Sequence, residues 1–157
     1  MKKKLFYISI AVIVCLVIGF LSSFAVHGAV NDWYAALNKP SYNPPNWIFA
    51  PVWITLYVMM GVAAGIVWAR GFYHIWVKTA LYHFGFQLLL NAAWSIVFFG
   101  FEAPFLALLV IIMLLILILL TIRWFKVINN TAAYLLVPYF FWVCFAMVLN
   151  YKIWALN

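Results

Sequence analysis

The sequence predicts an all-α integral membrane protein, a bundle of five transmembrane helices, and three observations carry that prediction. Of 157 residues, 71% are hydrophobic and only 7% charged, too few to furnish the polar surface of a water-soluble domain. Five windows supply the run of about 20 apolar residues that a helix needs to cross a bilayer. They are Leu5–Val26, Trp47–Ala69, Thr79–Gly100, Pro104–Trp124 and Thr131–Trp154. These runs are continuous rather than alternating, which favours helices over the short strands of a barrel. The chain reads as one domain, residues 1–157, with a single long loop at 27–46.

The first span follows Lys2, Lys3 and Lys4 and ends in small residues, a pattern that a cleaved signal peptide shares. Its apolar core exceeds the roughly 7–15 residues of such a peptide, and four more spans follow, so we expect it to be retained as a helix. Arg70 and Lys78 lie between spans two and three, Arg123 and Lys126 between spans four and five. All seven of these basic residues fall on one side of a five-span chain, against Lys39 and Lys152 on the other. The bias places the N-terminus in the cytoplasm and the C-terminus outside. The net charge of +7 is thus a matter of topology, and nucleic acid is not an expected partner.

The 27–46 loop ends in "KPSYNPPNWIFAPVW", residues 39–53, where Pro40, Pro44, Pro45 and Pro51 alternate with Tyr42, Trp47, Phe49 and Trp53. Prolines limit the conformations of such a loop, and Pro51 bends the start of the second span. The expected result is a pre-shaped cover over a cavity. In the second span Gly61 and Gly65 form a small-xxx-small pattern that admits another helix closely, either within the monomer or in a homodimer through small-residue helix faces.

The third span, "YHFGFQLLLNAAWSIVFF", carries His83, Gln87, Asn91 and Ser95 at i+4, one slowly drifting face. Asn91 falls near mid-span, where a lipid-facing amide would leave its donors and acceptors unsatisfied. The stripe therefore faces protein, water or a ligand, and interhelical hydrogen bonding stands beside ligand contact as a reading. The fourth span has no strongly polar side chain before Thr121 and is expected to face lipid. Pro104 suits its first turn, and Asn130 suits the N-cap of the fifth span.

That fifth span offers a second stripe, Tyr134, Pro138, Trp142, Ala146 and Asn150. Pro138 cannot donate a backbone hydrogen bond and frees the Tyr134 carbonyl, so a bend or an exposed acceptor is expected there. Trp68, Trp76, Trp124 and Trp154 fit interfacial belts, whereas Trp142 lies too deep for one. If spans two, three and five are neighbours, Trp53, Asn91 and Trp142 share a depth and make an aromatic-walled pocket with one amide to orient its occupant.

Conventional enzyme chemistry finds little support. Asp32 and Glu102 are the only carboxylates, His27, His74 and His83 are scattered, and Cys15 and Cys144 lie within spans far from them. Neither a paired-carboxylate site nor a metal cluster at the usual spacing can be assembled, and no cofactor is required.

"WYAALNKPSYNPPNWIFAPVW", "LYVMMGVA", "QLLLNAAWSIVFF" and "LLVPYFFWVCFAMVLN" together resemble the TspO/MBR family, the tryptophan-rich sensory proteins and translocator proteins or peripheral-type benzodiazepine receptors. The resemblance runs over nearly the whole chain. It implies a five-helix bundle in membrane lipid, here a multi-pass protein of the bacterial cell (inner) membrane. Its implied ligands are porphyrins such as protoporphyrin IX or a haem-like tetrapyrrole, and benzodiazepine-type compounds. It implies ligand contact by Trp53, Asn91 and Trp142, with Trp33, Tyr34, Pro44, Tyr57, Ser95 and Ala146 lining the pocket, and often a dimer. Lys39 is a candidate partner for a propionate at the mouth, with a solvated loop lysine the alternative.

Regulation of tetrapyrrole levels is the implied role, with tetrapyrrole or lipid transport and light-dependent porphyrin breakdown as alternatives; a photochemical reaction would use Trp53 and Trp142. A binding protein is expected rather than an enzyme. The chain departs from its animal relatives where a basic residue follows a tyrosine near the end of the fifth span. Lys152 follows Tyr151 directly and Ala155 stands at the expected basic position, so cholesterol is not an expected ligand.

Overall fold

The computed structural model describes residues 2–30 and 32–157. Its elements are all helical: α1 Lys2–Ala29, a single turn α2 Trp33–Ala36, α3 Asn46–Trp68, α4 Ile75–Ser95, α5 Pro104–Ile128, α6 Asn130–Leu135 and α7 Val137–Leu156. A π-helical turn, Ile96–Gly100, extends α4. Five helical stretches are long and apolar enough to cross a membrane, with α6 and α7 together forming the fifth. The chain is an integral multi-pass membrane protein. The end that carries Lys2, Arg70 and Lys126 is called here the basic end, and the opposite one the loop end.

The helices form a ring. α3 packs along α1, α1 meets α4, α4 lies on α5, and α5 supports α6 and α7, while α6 closes back on α3. Small residues make the basic end tight. A Cβ added at Gly61 would lie 2.4 Å from the Val12 Cα, and one at Gly65 would lie 2.4 Å from the Ile8 Cα. The small-xxx-small pattern is therefore occupied within the monomer, and that face of α3 is not open to a second copy. Ala63, Ala64, Ala80 and Ala132 are all fully buried in the same half.

Three local features differ from expectation. The N-cap of α6 is Asn129 rather than Asn130, because the side chain one residue earlier accepts the Ala132 N–H at 3.0 Å, the third amide of the helix. α4 starts at Ile75, four residues before Thr79, so the basic loop is shorter than the sequence indicated. The interruption near Pro138 sits at Leu136, whose turn separates α6 from α7, with Pro138 placed in the first turn of α7 where it needs no donor. Pro104 occupies the first turn of α5 as expected.

The break at Leu136 shapes the bundle. α6, whose Ala132 and Ala133 are buried, packs on α3, but beyond the break α7 barely meets α3. Two helices that touch at one end and diverge at the other leave a wedge. It opens toward the loop end.

Candidate functional site

That wedge is a cavity of about 770 Å³. Its walls come from the loop-end halves of α1, α3 and α7 and from the turn joining α4 to the π-helical stretch. Among the residues that sequence reasoning singled out, Tyr34, Trp53, Tyr57, Ser95, Trp142 and Ala146 line it. The Trp142 ring stands edge-on to Phe49, with centroids 6.0 Å apart, and Trp53 leans on Tyr57 at 5.7 Å and on Tyr139 at 6.4 Å. Ala146 is buried one turn beyond Trp142 and leaves the space beside the indole that a larger residue would fill.

Three expected residues lie elsewhere. Asn91 is 1% exposed and sits beneath the cavity rather than on its wall. Its Oδ1 accepts from the Tyr57 hydroxyl at 2.8 Å, and its Nδ2 donates to the Tyr139 oxygen at 3.0 Å. Tyr139 in turn donates to Gln87 Oε1 at 2.8 Å. An amide so engaged holds α3, α4 and α7 together, which is the interhelical alternative of the sequence reading. Trp33 packs edge-on against Phe98 at 5.6 Å, outside the cavity. Pro44 also lies off the wall, its carbonyl accepting from Asn43 Nδ2 at 3.1 Å.

The polar stripe of the third span thus divides three ways. The His83 ring bonds the Thr79 carbonyl one turn back at 2.8 Å, Gln87 and Asn91 join the buried network, and only Ser95 reaches the cavity. The fifth-span stripe divides at the Leu136 turn. Tyr134 is 67% exposed, while Trp142, Ala146 and Asn150 face inward.

Asn150 is a buried clamp rather than a free polar group. It accepts from Trp94 Nε1 at 3.1 Å and donates to the Pro104 carbonyl at 2.7 Å.

Sequence reasoning missed a whole wall. α1 lines the cavity from Leu16 to His27, about 16 Å of helix at about 1.5 Å per residue. Gly19, Ser22 and Ser23, three small residues in an otherwise bulky run, were the available signal. Gly19 is required because a Cβ there would lie 2.4 Å from the Tyr57 ring. Phe98 and Phe99 were missed as well. The π-helical turn, with Phe101 N–H bonded five residues back to the Ile96 carbonyl at 3.0 Å, alters the register that a regular helix would give. Both rings then line the loop end of the cavity.

The loop covers the remaining side. Tyr34 is buried against Phe99, with ring centroids 5.6 Å apart, and its hydroxyl donates to Asn43 Oδ1 at 3.0 Å. Burial pushes its phenol above the usual tyrosine value. Lys39 does not point free at the mouth. Its ammonium donates to the Ala35 and Leu37 carbonyls, both at 3.2 Å, and lies 4.8 Å above the Tyr34 ring. Asn38 and Asn157 exchange two hydrogen bonds: the Asn38 N–H donates to Asn157 Oδ1 at 2.9 Å and Asn157 Nδ2 donates to the Asn38 carbonyl at 3.0 Å. The cover is thereby tied to the end of α7.

Comparison with known proteins agrees with this architecture. The sequence model of the TspO/MBR family matches residues 11–155. A tryptophan-rich protein TspO of Chlorobaculum tepidum is 40% identical over 157 residues, covering 100% of this chain and 99% of that protein. The translocator protein of Homo sapiens is 40% identical over 141 residues, 88% of this chain and 82% of its own length. The tryptophan-rich sensory protein of Cereibacter sphaeroides is 34% identical over 128 residues, 81% of this chain and 78% of its own.

Proposed function

The chain belongs to the TspO/MBR family, and we propose that it binds protoporphyrin IX or a similar flat tetrapyrrole in the cavity between α1, α3 and α7. The observation that carries this reading is the combination of volume and lining. A cavity of about 770 Å³ falls inside the range of about 300–1,000 Å³ typical of small-molecule sites. Aromatic rings from three directions, Trp53, Trp142 and Phe98, offer faces and edges to a planar ligand. Asn150 and the Tyr57 hydroxyl on the wall are already engaged, whereas the buried Trp142 Nε1 has no partner among the described residues.

Binding is favoured over transport by the floor. Beneath the cavity, the Tyr57–Asn91–Tyr139–Gln87 network and the glycine contacts of α1 with α3 close the basic end. A carrier of a rigid macrocycle would have to break that whole layer to pass it through. The role that fits a blind site is control of tetrapyrrole level by sequestration, in a bacterial cell membrane. The positive-inside distribution then sets the basic end in the cytoplasm and the cavity toward the outer side.

The test is a tryptophan-fluorescence titration with protoporphyrin IX in lipid nanodiscs, in the dark. Saturable quenching is expected, weakened in Trp142→Phe by about 0.5–1.5 kcal/mol, the scale of one aromatic contact. Equal, non-saturating quenching in both proteins would show mere partition of porphyrin into lipid and defeat the reading.

A further inference from the structure

The cavity has a second boundary besides the loop. Toward the basic end, α1 and α3 are in backbone contact at Gly61 and Gly65, and the Tyr57 ring fills the space at Gly19. Beyond that level the two helices no longer seal. Phe20 on α1 and Ile54 on α3 both line the cavity, yet Phe20 is 65% exposed and Ile54 57% exposed, whereas the wall residues Tyr57, Trp53 and Trp142 are buried or half-buried. Two wall side chains left more than half exposed, one on each helix, have no neighbour covering them and mark the least sealed stretch of the wall. Ser23 and Ala50, a turn further along each helix, repeat the pattern with small side chains. This stretch lies within two spans, so it faces acyl chains and not water.

The aqueous side is held differently. There the loop is fastened by the Tyr34–Asn43 bond, by Lys39 on its own carbonyls and by the paired bonds between Asn38 and Asn157. One side is tied by polar contacts and the other is bounded by two exposed apolar side chains that hold no hydrogen bond and can yield by a change of rotamer.

We propose that the ligand is loaded sideways from the bilayer, through the slit between α1 and α3 gated by Phe20 and Ile54, while the loop stays closed. The proposal rests on the reading that the cavity binds a planar tetrapyrrole. It adds that the substrate pool is the amphiphile already dissolved in the membrane. A flat molecule lying among acyl chains enters such a slit edge-on without first crossing water, and its polar rim meets Ser23 and the loop end as it goes in.

The experiment is stopped-flow tryptophan quenching in proteoliposomes, with protoporphyrin IX preloaded in protein-free vesicles or offered from water. The variant Ile54→Trp narrows the slit, Val58→Trp adds the same bulk one turn away off the cavity wall, and Asn157→Ala unties the loop. Ile54→Trp is expected to slow association and dissociation together, by about tenfold. Val58→Trp and Asn157→Ala should leave both rates within about twofold. Association should follow the porphyrin content of the bilayer at fixed aqueous concentration.

Faster exchange in Asn157→Ala with no effect of Ile54→Trp would overturn the lateral route in favour of the loop. Rates that follow aqueous porphyrin alone would do the same. In either case equilibrium titration would still show saturable binding, so only the route fails. Absence of saturable binding in the unmodified protein would defeat the binding reading and the route with it.

Discussion

The two halves of this bundle are made from the same five spans but solve different problems. At the basic end, Gly61 and Gly65 bring α3 into backbone contact with α1, and alanines of α3, α4 and α6 are buried alongside Met60, Val67 and Phe125, all essentially inaccessible. At the loop end α3, α7 and the π-helical turn carry Trp53, Trp142, Phe98 and Phe99 and, with α1, stand apart around a cavity of about 770 Å³. In lipid no hydrophobic effect draws helices together, so close packing of small residues and interhelical hydrogen bonds must do so. The basic half spends both on cohesion. This frees the loop half to hold large rings that do not fill their own space. The boundary between them is the buried amide network, whose Tyr57 ring is at once the ceiling of one half and the floor of the other.

The most damaging way to break this division is at Gly61. Gly61→Val would drive a branched side chain against the Val12 backbone, which cannot yield by changing rotamer. Overpacking costs about 1–3 kcal/mol and more where backbone must move. Thermal unfolding in detergent should show a large loss of stability, with ligand binding lost as a consequence. An unchanged melting temperature would mean that the α1–α3 contact does not hold the basic half together.

Next in size is the boundary itself. Asn91→Leu removes the acceptor of Tyr57 and the donor to Tyr139, and about 1–3 kcal/mol is expected for buried groups left unpaired. Because Asn91 lies under the wall, porphyrin affinity in the folded fraction should fall less than about tenfold, or about 1.4 kcal/mol. Measured side by side, stability and affinity separate the roles. A large affinity loss with unchanged stability would return Asn91 to the ligand, where the family resemblance had put it.

Much of this was legible in the sequence, and the parts that were not share a cause. Span number follows from run length and hydropathy, since the bilayer permits few alternatives for twenty apolar residues. Trp53, Trp142 and Ala146 were singled out because aromatic and small residues at mid-span depth have few uses besides packing on each other or on a ligand, whereas Tyr57 came only with the family resemblance. Asn91 was rightly read as inward-facing, but period alone does not say whether an inward amide meets a helix or a cavity. The α1 wall was missed because its signal is what is small, Gly19 and Ser22, and smallness speaks only when the partner, here Tyr57, is known. Phe98 and Phe99 escaped because a π-helical turn shifts register after Ser95, and Tyr139 because the Leu136 turn rotates α7 relative to α6.

The smallest expected effect lies in the cover, where Tyr34 supplies a hydrogen bond of about 1 kcal/mol, or about fivefold in the opening equilibrium. Tyr34→Phe should therefore raise cleavage of the loop by an alkaline-stable protease about fivefold at neutral pH. The pH dependence has a definite sign. Burial raises the phenol above its ordinary value of 10.0, so below that pH it is neutral whether the loop is closed or open. Its stabilising contribution is fully present there. As pH rises past 10.0 the open loop ionises first, and the closed form loses its advantage as the pH climbs through the raised value. Cleavage of the unmodified protein should then rise toward that of Tyr34→Phe. Because the basic half lacks this phenol, the integrity of α1 against α3 should not follow the same curve. Parallel loss of both would mean that the loop and the packed half open as one unit, and the division into a rigid base and a separately tied cover would not stand.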